Sequence, residues 1–314
     1  VSYTKVMLAA AIPAFLYHLS LLYSVHLEAK RLGLSGLSKE NIPQAGKVLR
    51  ERGHLLIPLV VLLALMFAGY TPLFAAIIAI FVTIPVSWIR KETRMDLETI
   101  VRATVEGSRS AIGVGISCII IGVIIGSVNM TSLGLNFGNL ILRVVGDGHL
   151  FLGGLMVMIM SIILGMGVPT TANYCIMAST CAPILIKMGY PLVAAHFFVF
   201  YFGIVADITP PVALAAYAGA AIAKANPMKT GINATKLAIA AFIVPYIFAY
   251  SPAMLFDNVS SAFEVVQIVV SALIGLFGVA AALNGFVYKK IPMLFRLAMA
   301  AGGLCMMILS LIHI

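Results

Sequence analysis

The stretch ILGMGVPTTANY, residues 163–174, interrupts a strongly hydrophobic part of the chain with glycine, proline, threonine and asparagine. The apolar segment before it, 150–164, reaches about 22 Å as a helix, which is short of the roughly 30 Å hydrocarbon core of a bilayer. The segment after it, 174–186, is shorter and contains Pro183. Two short halves joined by such a turn predict a re-entrant helical hairpin. Two full crossings are the alternative, which the short lengths disfavour.

The whole chain has the composition of a membrane protein. Its 314 residues are 62% hydrophobic and 10% charged, whereas a soluble domain has about 25% charged residues. Apolar runs long enough to span a bilayer recur, and strand alternation with a period of two does not. We therefore expect an all-α polytopic membrane protein. The apolar runs are 6–26, 55–89, 110–131, 191–223, 237–256 and 265–287.

The net charge of +9 comes largely from loops and helix ends, where 17 of the 20 Lys and Arg residues lie in four clusters. Basic loops are typical of the cytoplasmic side of a membrane. We therefore expect membrane lipid, and no nucleic acid, as a partner. A re-entrant hairpin at 150–187 keeps all four clusters on that side. Residues 90–107 are predicted to form an amphipathic helix on the membrane surface, or an ordinary packed connector.

A second interruption lies in FGIVADITPPVALAAYAGAAIA, residues 202–223. Pro210 and Pro211 have no backbone N–H, and Thr209 precedes a proline, so the helix is expected to break near 207–211. Non-helical backbone at membrane depth persists only where protein buries it or where it lines a wet cavity. Two interrupted segments in one membrane domain point to the binding site of a secondary transporter.

The chemistry of this site is predicted to be ion and carboxylate binding. Broken helices offer free carbonyls to a cation such as Na⁺ and free N–H groups to a carboxylate. Asp207, an acid within an apolar segment, is a candidate Na⁺ ligand, proton carrier or helix cap. His196 is either a hydrogen-bonded packing residue or a proton carrier. Because no phosphate loop, metal cluster or catalytic triad occurs, we expect no enzyme activity and no cofactor except Na⁺ as the coupling ion.

Two motifs carry a family resemblance: GMGVPTTANYCIMA at 165–178 and AAHFFVFYFGIVADITPPVALAAYAGA at 194–220. They resemble the large membrane (permease) subunit of TRAP transporters, above all the fused permeases that work with TAXI-type binding proteins. The resemblance implies an elevator-type fold with inverted repeats in the bacterial inner membrane. It also implies Na⁺-coupled import of a small organic acid (a carboxylate), delivered by a periplasmic TAXI-type substrate-binding protein. A sodium-pumping decarboxylase-like complex, or another Na⁺/carboxylate symporter, is the alternative.

The resemblance further implies that the hairpin tip and the interrupted helix together bind Na⁺ and substrate. The residues expected at the site are Gly167, Pro169, Thr170, Thr171, Asn173, Ala206, Asp207, Thr209 and Pro210. Within this set, the side chains expected to ligate Na⁺ are Thr170, Thr171, Asp207 and Thr209.

The chain is predicted to have four parts, of which the first is an incomplete repeat. Residues 1–26 resemble the helix that follows the first hairpin, so that hairpin and the small membrane subunit fused upstream are expected to be missing here. Residues 27–109 hold a cytoplasmic loop, a transmembrane hairpin at 55–89 and the surface helix. Residues 110–256 form the second repeat, with the re-entrant hairpin at 150–187 and the interrupted helix at 191–223. Residues 257–314 add C-terminal transmembrane helices, and LSLIHI at 309–314 is expected to be non-native because it matches a translated transposon-adapter sequence.

Overall fold

The computed structural model describes residues 3–34, 36, 42, 44–145 and 149–312. Within them the regular structure is helical, and the extended pairing is a single isolated bridge between Phe286 and Lys290. The predicted all-α class is therefore confirmed. The α-helices are α1 (Tyr3–Arg31), α2 (Ala45–Arg52), α3 (Ile57–Phe67), α4 (Pro72–Ser87), α5 (Leu97–Met130), α6 (Leu133–Val145), α7 (Leu150–Gly165), α8 (Thr170–Thr180), α9 (Ala182–Lys187), α10 (Leu192–Val205), α11 (Leu214–Ala223), α12 (Pro227–Leu237), α13 (Ala240–Tyr250), α14 (Ala262–Asn284) and α15 (Met293–Ile312).

Several of these helices are apolar enough to enter a membrane. Among the described residues, three stretches have both the length and the composition of a membrane span: Tyr3–Arg31, Pro227–Tyr250 and Ala262–Asn284. Shorter apolar helices include α4, α7, α11 and much of α15. Together they agree with several passages of the chain through a bilayer.

The chain divides into two compact units, which are Val1–Leu8 with Ser35–Gly113, and Ala9–Leu34 with Val114–Ile314. In the smaller unit, α3 and α4 pack against each other as the helical hairpin expected from the sequence. Gly69 turns the chain with a φ of +91°. Thr71 then caps α4, because its hydroxyl accepts a hydrogen bond from the Phe74 amide at 3.4 Å.

The start of α5 is fixed by an exposed carboxylate in the same unit. Asp96 Oδ1 accepts a hydrogen bond from the Thr99 amide at 2.9 Å, which satisfies one of the free donors of the first turn. Hydrogen bonds from Thr99 lower the pKa of the Asp96 carboxyl below its ordinary value. The indole N–H of Trp88 donates to the Met95 carbonyl at 2.9 Å, so the single tryptophan lies beside this cap.

The larger unit is built around α10, which contacts α7, α8, α9 and α13. Its aromatic side chains form the centre of the core: Phe198 and Phe202 are fully buried and meet edge to face, with ring centroids 4.8 Å apart. Phe198 also packs edge to face against Tyr246 of α13. These contacts hold the predicted hairpin and the interrupted helix in one packed body.

The C-terminal helices α14 and α15 pack together through small residues. A Cβ added at Gly275 would lie 2.6 Å from the Gly303 carbonyl oxygen, so the two backbones approach closely only because both positions are glycine. Arg296 then closes the end of α14, since its guanidinium donates to the Ala282 carbonyl at 2.7 Å and to the Leu283 carbonyl at 3.1 Å. These carbonyls belong to the last turn, where no intrahelical donor remains.

Two helices differ from the sequence-based expectation. Helix α5 is continuous from Leu97 to Met130, whereas a surface helix at 90–107 and a separate span at 110–131 were expected. The expected break is wrong because Gly107 and Ser108 lower helix propensity without preventing a helix. The orientation of residues 97–107 relative to a membrane stays a prediction, as do the four domain boundaries. Helix α6 was not expected at all.

Candidate functional site

The quoted stretch forms the turn of a helical hairpin. Helix α7 ends at Gly165 and α8 begins at Thr170, so only four residues connect them. Gly167 has a φ of +74°, a backbone conformation that residues with a Cβ rarely adopt. Pro169 supplies the extended residue before α8, and its carbonyl accepts the first helical hydrogen bond, from the Asn173 amide at 2.8 Å. The predicted hairpin is therefore present, and its re-entry into a membrane stays a prediction.

The predicted interruption is also present. Helix α10 ends at Val205, a 3-10 turn covers Ala206–Ile208, and α11 begins at Leu214. Thr209 is extended, with φ of −106° and ψ of 123°, as expected of a residue before proline. Its hydroxyl donates to the Val205 carbonyl at 2.7 Å, which satisfies one of the acceptors that the break leaves free.

The hairpin and the interrupted helix meet at Asn173. Its side chain is only 3% exposed and lies between two glycines. A Cβ added at Gly203 would be 2.8 Å from both the Nδ2 and the Oδ1 of Asn173, and one added at Gly165 would be 2.9 Å from Nδ2. The two glycines therefore make the room that the carboxamide occupies, close to where α10 breaks.

The carboxamide oxygen of Asn173 is left without a hydrogen bond. Its Oδ1 is buried and no donor of the described residues reaches it. A buried acceptor without a donor costs about 1–3 kcal/mol. Such an oxygen is also the kind of neutral ligand that a hard cation accepts.

The other predicted site residues divide into two groups. The first group lies on the 3-10 turn or just after it. In this group Ala206 is buried, and Asp207, Thr209 and Pro210 are partly buried. Helix α7 contacts the 3-10 turn. In contrast, Gly167, Pro169, Thr170 and Thr171 are exposed at the hairpin tip.

Among the described residues, no hydrogen bond joins the threonines of the tip to the interrupted helix. Asn173 is therefore the predicted residue that the fold brings into contact with it. The role of each predicted residue in binding stays a prediction.

A model of the family "Tripartite ATP-independent periplasmic transporter, DctM component" matches residues 1–263. The chain belongs to this family. Comparisons with curated proteins and with solved structures give no match.

Family membership identifies the chain as the membrane permease subunit of a TRAP transporter. The site described above lies entirely within the matched residues. A tripartite transporter of this kind also has a substrate-binding protein and a small membrane subunit, which are therefore the expected partners. The match and the apolar helices together make the chain a multi-pass membrane protein.

His196 of this permease subunit has a hydrogen-bonded position on α10. Its Nδ1 lies 3.0 Å from the hydroxyl of Tyr174, the residue that follows Asn173 on α8. Tyr174 also packs edge to face against Phe200, with centroids 5.6 Å apart. The helix α8 is thus joined to α10 at two successive residues, Asn173 and Tyr174.

Three contributors to the candidate site were missed from the sequence. Gly165 and Gly203 set the distance between α7 and α10, and Thr235 donates to the Ile208 carbonyl at 3.0 Å. Gly165 stands in the quoted stretch and Gly203 in the second motif, so both were visible as small residues in apolar helices. Their contact depends on how the helices cross, which sequence spacing does not fix. Groups of three or more His, Cys, Asp or Glu that would suit a transition metal do not occur within the described residues.

Proposed function

We propose that this permease subunit imports a small carboxylate across the bacterial inner membrane and couples the import to Na⁺. A periplasmic TAXI-type binding protein delivers the substrate, and a small membrane subunit completes the transporter. Binding occurs where the hairpin tip meets the interrupted helix. The proposal extends the family assignment to the coupling ion, the substrate class and the type of binding protein.

The observation that carries the proposal is the buried, unpartnered oxygen of Asn173 at the break of α10. Interrupted helices supply backbone carbonyls to coupling ions in secondary transporters. A Na⁺ ion near Asn173 would compensate the buried oxygen and draw on the carbonyls that α10 leaves free at its end. Hard cations prefer oxygen ligands, and at the buried end of the site the Asn173 amide and backbone carbonyls provide them without a charge, while the proposed charged ligand, Asp207, is only partly buried.

Asp207 and Thr209 are the further ligands proposed for such a site. Asp207 lies on the 3-10 turn that follows α10, four residues after Gly203. The Thr209 hydroxyl donates its hydrogen to the Val205 carbonyl, so its oxygen remains available to a cation. Thr170 and Thr171, exposed at the tip, are the proposed ligands that approach from the hairpin side.

The substrate is proposed to be an anion because free N–H groups are available beside the ion. The first turn of α8 has its amides directed towards the tip, and the positive end of a helix dipole favours a carboxylate. The substrate carboxylate and Na⁺ would then stabilise each other across the tip.

Uptake into proteoliposomes tests the proposal directly. The permease is reconstituted with its small subunit and binding protein, and import of the carboxylate bound by that protein is measured with and without an inward Na⁺ gradient. We expect import to require the gradient, and replacing Na⁺ by K⁺ to abolish it. Import that proceeds equally in K⁺ would refute the coupling.

The ligand assignment has its own variant test. Thr170→Val combined with Thr209→Val removes two hydroxyl oxygens at nearly constant volume, so the Na⁺ concentration for half-maximal import should rise about tenfold, equivalent to about 1.4 kcal/mol. Thr230→Val is the matched control, because its hydroxyl bonds to the carbonyl of Asn226, the residue that caps the start of α12. An unchanged Na⁺ dependence in the double variant would remove both threonines from the ion site.

A further inference from the structure

The C-terminal ends of α1 and α14 lie side by side. At the end of α14, Asn284 Nδ2 donates to the Ser24 carbonyl of α1 at 3.3 Å. Just beyond it, the ammonium group of Lys30 lies 6.0 Å from the centre of the Tyr288 ring. The two contacts advance in the same direction along both segments, so α1 and α14 run parallel and end on the same side of the larger unit.

The turn between α14 and α15 is closed by its own backbone. The Gly285 carbonyl accepts a hydrogen bond from the Ile291 amide at 2.9 Å, and the isolated bridge described above lies within this closure. The closed turn therefore presents three neighbouring exposed side chains, which are Tyr288, Lys289 and Lys290.

Basic side chains collect at this end of the larger unit. Among the described residues, the carboxylate that pairs with them is Glu28, which accepts a hydrogen bond from Arg31 at 2.8 Å and lies 3.9 Å from the Lys236 ammonium. Arg296 is directed to the carbonyls at the end of α14. Three further basic residues are exposed and form no ion pair within the part of the chain that the structure describes. They are Lys30, Lys289 and Lys290, here called the basic corner.

The basic corner lies where two membrane spans end. Tyr3–Arg31 and Ala262–Asn284 have the length and composition of spans, so the three lysines lie at the ends of these stretches or just beyond them. Helix α15 starts next to the corner with large, exposed apolar side chains, Leu294 and Phe295. The exposed Tyr288 is of a residue type enriched at the boundary between membrane and water. Cations and apolar groups therefore adjoin on one surface.

This combination fits a lipid better than a dissolved anion. Ammonium groups form charge-assisted hydrogen bonds with phosphate, and basic residues next to a membrane span attract anionic lipids. A free phosphate ion would contact the lysines alone and would leave the apolar side chains of α15 uncovered. A phospholipid carries its phosphate and its acyl chains in one molecule, so it matches both parts of the surface.

We propose that the basic corner binds the headgroup of an anionic phospholipid, whose acyl chains lie along the exposed start of α15. The bound phosphate offsets the mutual repulsion of the three ammonium groups and links the ends of α1 and α14 to the membrane surface. Lys289, Lys290 and α15 lie outside residues 1–263, which match the family model, so the site goes beyond the family assignment.

Lipid binding to the whole permease in detergent tests the proposal. The protein is titrated with phosphatidylglycerol, which is anionic, or with phosphatidylcholine, which is zwitterionic, and bound lipid is counted by native mass spectrometry. The test variant combines Lys30→Gln, Lys289→Gln and Lys290→Gln.

The matched control neutralises three exposed lysines on other segments of the chain. It therefore removes as many charges from the formal net charge of +9 as the test variant does. It combines Lys47→Gln, Lys91→Gln and Lys187→Gln.

Each lysine close to an anionic lipid contributes about fivefold to binding, so the test variant should bind phosphatidylglycerol about 100-fold more weakly than the parent. The control should bind it like the parent. Phosphatidylcholine should bind the parent and both variants equally weakly. An equal loss of phosphatidylglycerol in the two variants would overturn the proposal, because net charge alone would then explain the binding.

Two further comparisons exclude misfolding and a dissolved anion. Replacing the three lysines of the corner by arginine keeps the charges, so phosphatidylglycerol binding should be retained, and its loss would contradict a headgroup site. Millimolar inorganic phosphate should leave the lipid bound to the parent, because phosphate lacks the acyl chains. Complete displacement by phosphate would refute a lipid site. The measurement involves no transport, so a failure of the proposed Na⁺ coupling leaves its result unaffected.

Discussion

Replacing Gly203 by alanine tests the contact between the hairpin and the interrupted helix. The added Cβ would lie 2.8 Å from Asn173 Nδ2 and Oδ1 and 3.0 Å from its Cγ, so the buried carboxamide must shift. Overpacking of this kind costs about 1–3 kcal/mol. If Asn173 must return to its original position to bind Na⁺, that cost weakens Na⁺ binding about 5- to 150-fold.

The same substitution has a smaller effect on folding. Alanine is better than glycine in a helix by about 1 kcal/mol, which offsets part of the overpacking. The net loss of stability is therefore about 0–2 kcal/mol. We expect Gly203→Ala to unfold within a few degrees of the parent while its half-maximal Na⁺ concentration for uptake rises clearly.

Gly219→Ala is the matched control, because a Cβ at Gly219 in α11 meets nothing within 4 Å. It should leave the Na⁺ dependence unchanged and raise the unfolding temperature slightly, because alanine is the better helix residue and nothing opposes it there. Na⁺-dependent thermal stabilisation measures binding independently of uptake. A Gly203→Ala permease with the Na⁺ dependence of the parent in both assays would refute the assignment of Asn173 to the ion site.

Three further changes test the fold around the site. Gly275→Ala places a Cβ 2.6 Å from a carbonyl oxygen of α15 and should lower the unfolding temperature in detergent, at a cost of about 1–3 kcal/mol before the gain in helix propensity. Arg296→Met removes the two hydrogen bonds to the end of α14 and should cost about 1.5–3 kcal/mol, seen as a lower unfolding temperature. Acidification should loosen the start of α5. Hydrogen bonds from Thr99 lower the pKa of the Asp96 carboxyl in the folded protein. The ionised Asp96 therefore stabilises the fold fully above the ordinary carboxyl pKa, and this stabilisation is lost as the pH falls through the pKa of the folded protein. The fluorescence emission of Trp88, which lies beside the cap, reports this loosening. In Asp96→Asn, the change of this emission with pH should be smaller.

Each of these changes has a neighbour as its control. Gly302→Ala meets nothing within 4 Å and should not destabilise α15, in contrast to Gly275→Ala. Lys290→Met removes an exposed charge and should leave the unfolding temperature unchanged. Glu98→Gln alters a carboxylate in the first turn of α5 and should preserve the acid response of the Trp88 emission. A control that behaves like its test variant would show that the named contact is not the cause.

The elements of the site could be predicted because glycine and proline act locally. Gly167 and Pro169 define the turn of the hairpin, and Pro210 with Pro211 ends α10 within a few residues of the expected break. These residues restrict their own backbone or that of a neighbour, whatever the rest of the fold does. Both interruptions could therefore be located from these residues to within a few positions.

The contacts between these elements could not be predicted in the same way. Helix α8 begins at Thr170, and this starting point decides that Asn173 faces α10 while Thr171 is exposed. Spacing along the chain gives the phase of a helix but not the helix that packs against it. The close approach at Gly203 results from three helices crossing, which is a tertiary property.

The errors at α5 and α6 have a different origin. A change from charged to apolar residues near Arg109 suggested a boundary, yet composition changes do not end a helix without a proline or a cap. In α6, the polar residues Asn136 and Asn139 hid an amphipathic pattern in which Phe137, Leu140 and Ile141 share a side.

A neutral amide in the core of the site has a consequence for coupling. A buried carboxylate would bind Na⁺ tightly but would cost several kcal/mol whenever the ion leaves, since an unpaired buried charge is poorly tolerated. The Asn173 oxygen costs only about 1–3 kcal/mol without a donor, so the proposed ion would bind and leave with modest changes in free energy. Because the amide is wedged between Gly165 and Gly203, that free energy depends on how closely α7 and α10 approach. In the proposed coupling, ion binding and the packing of the hairpin on the interrupted helix would therefore be linked through one side chain.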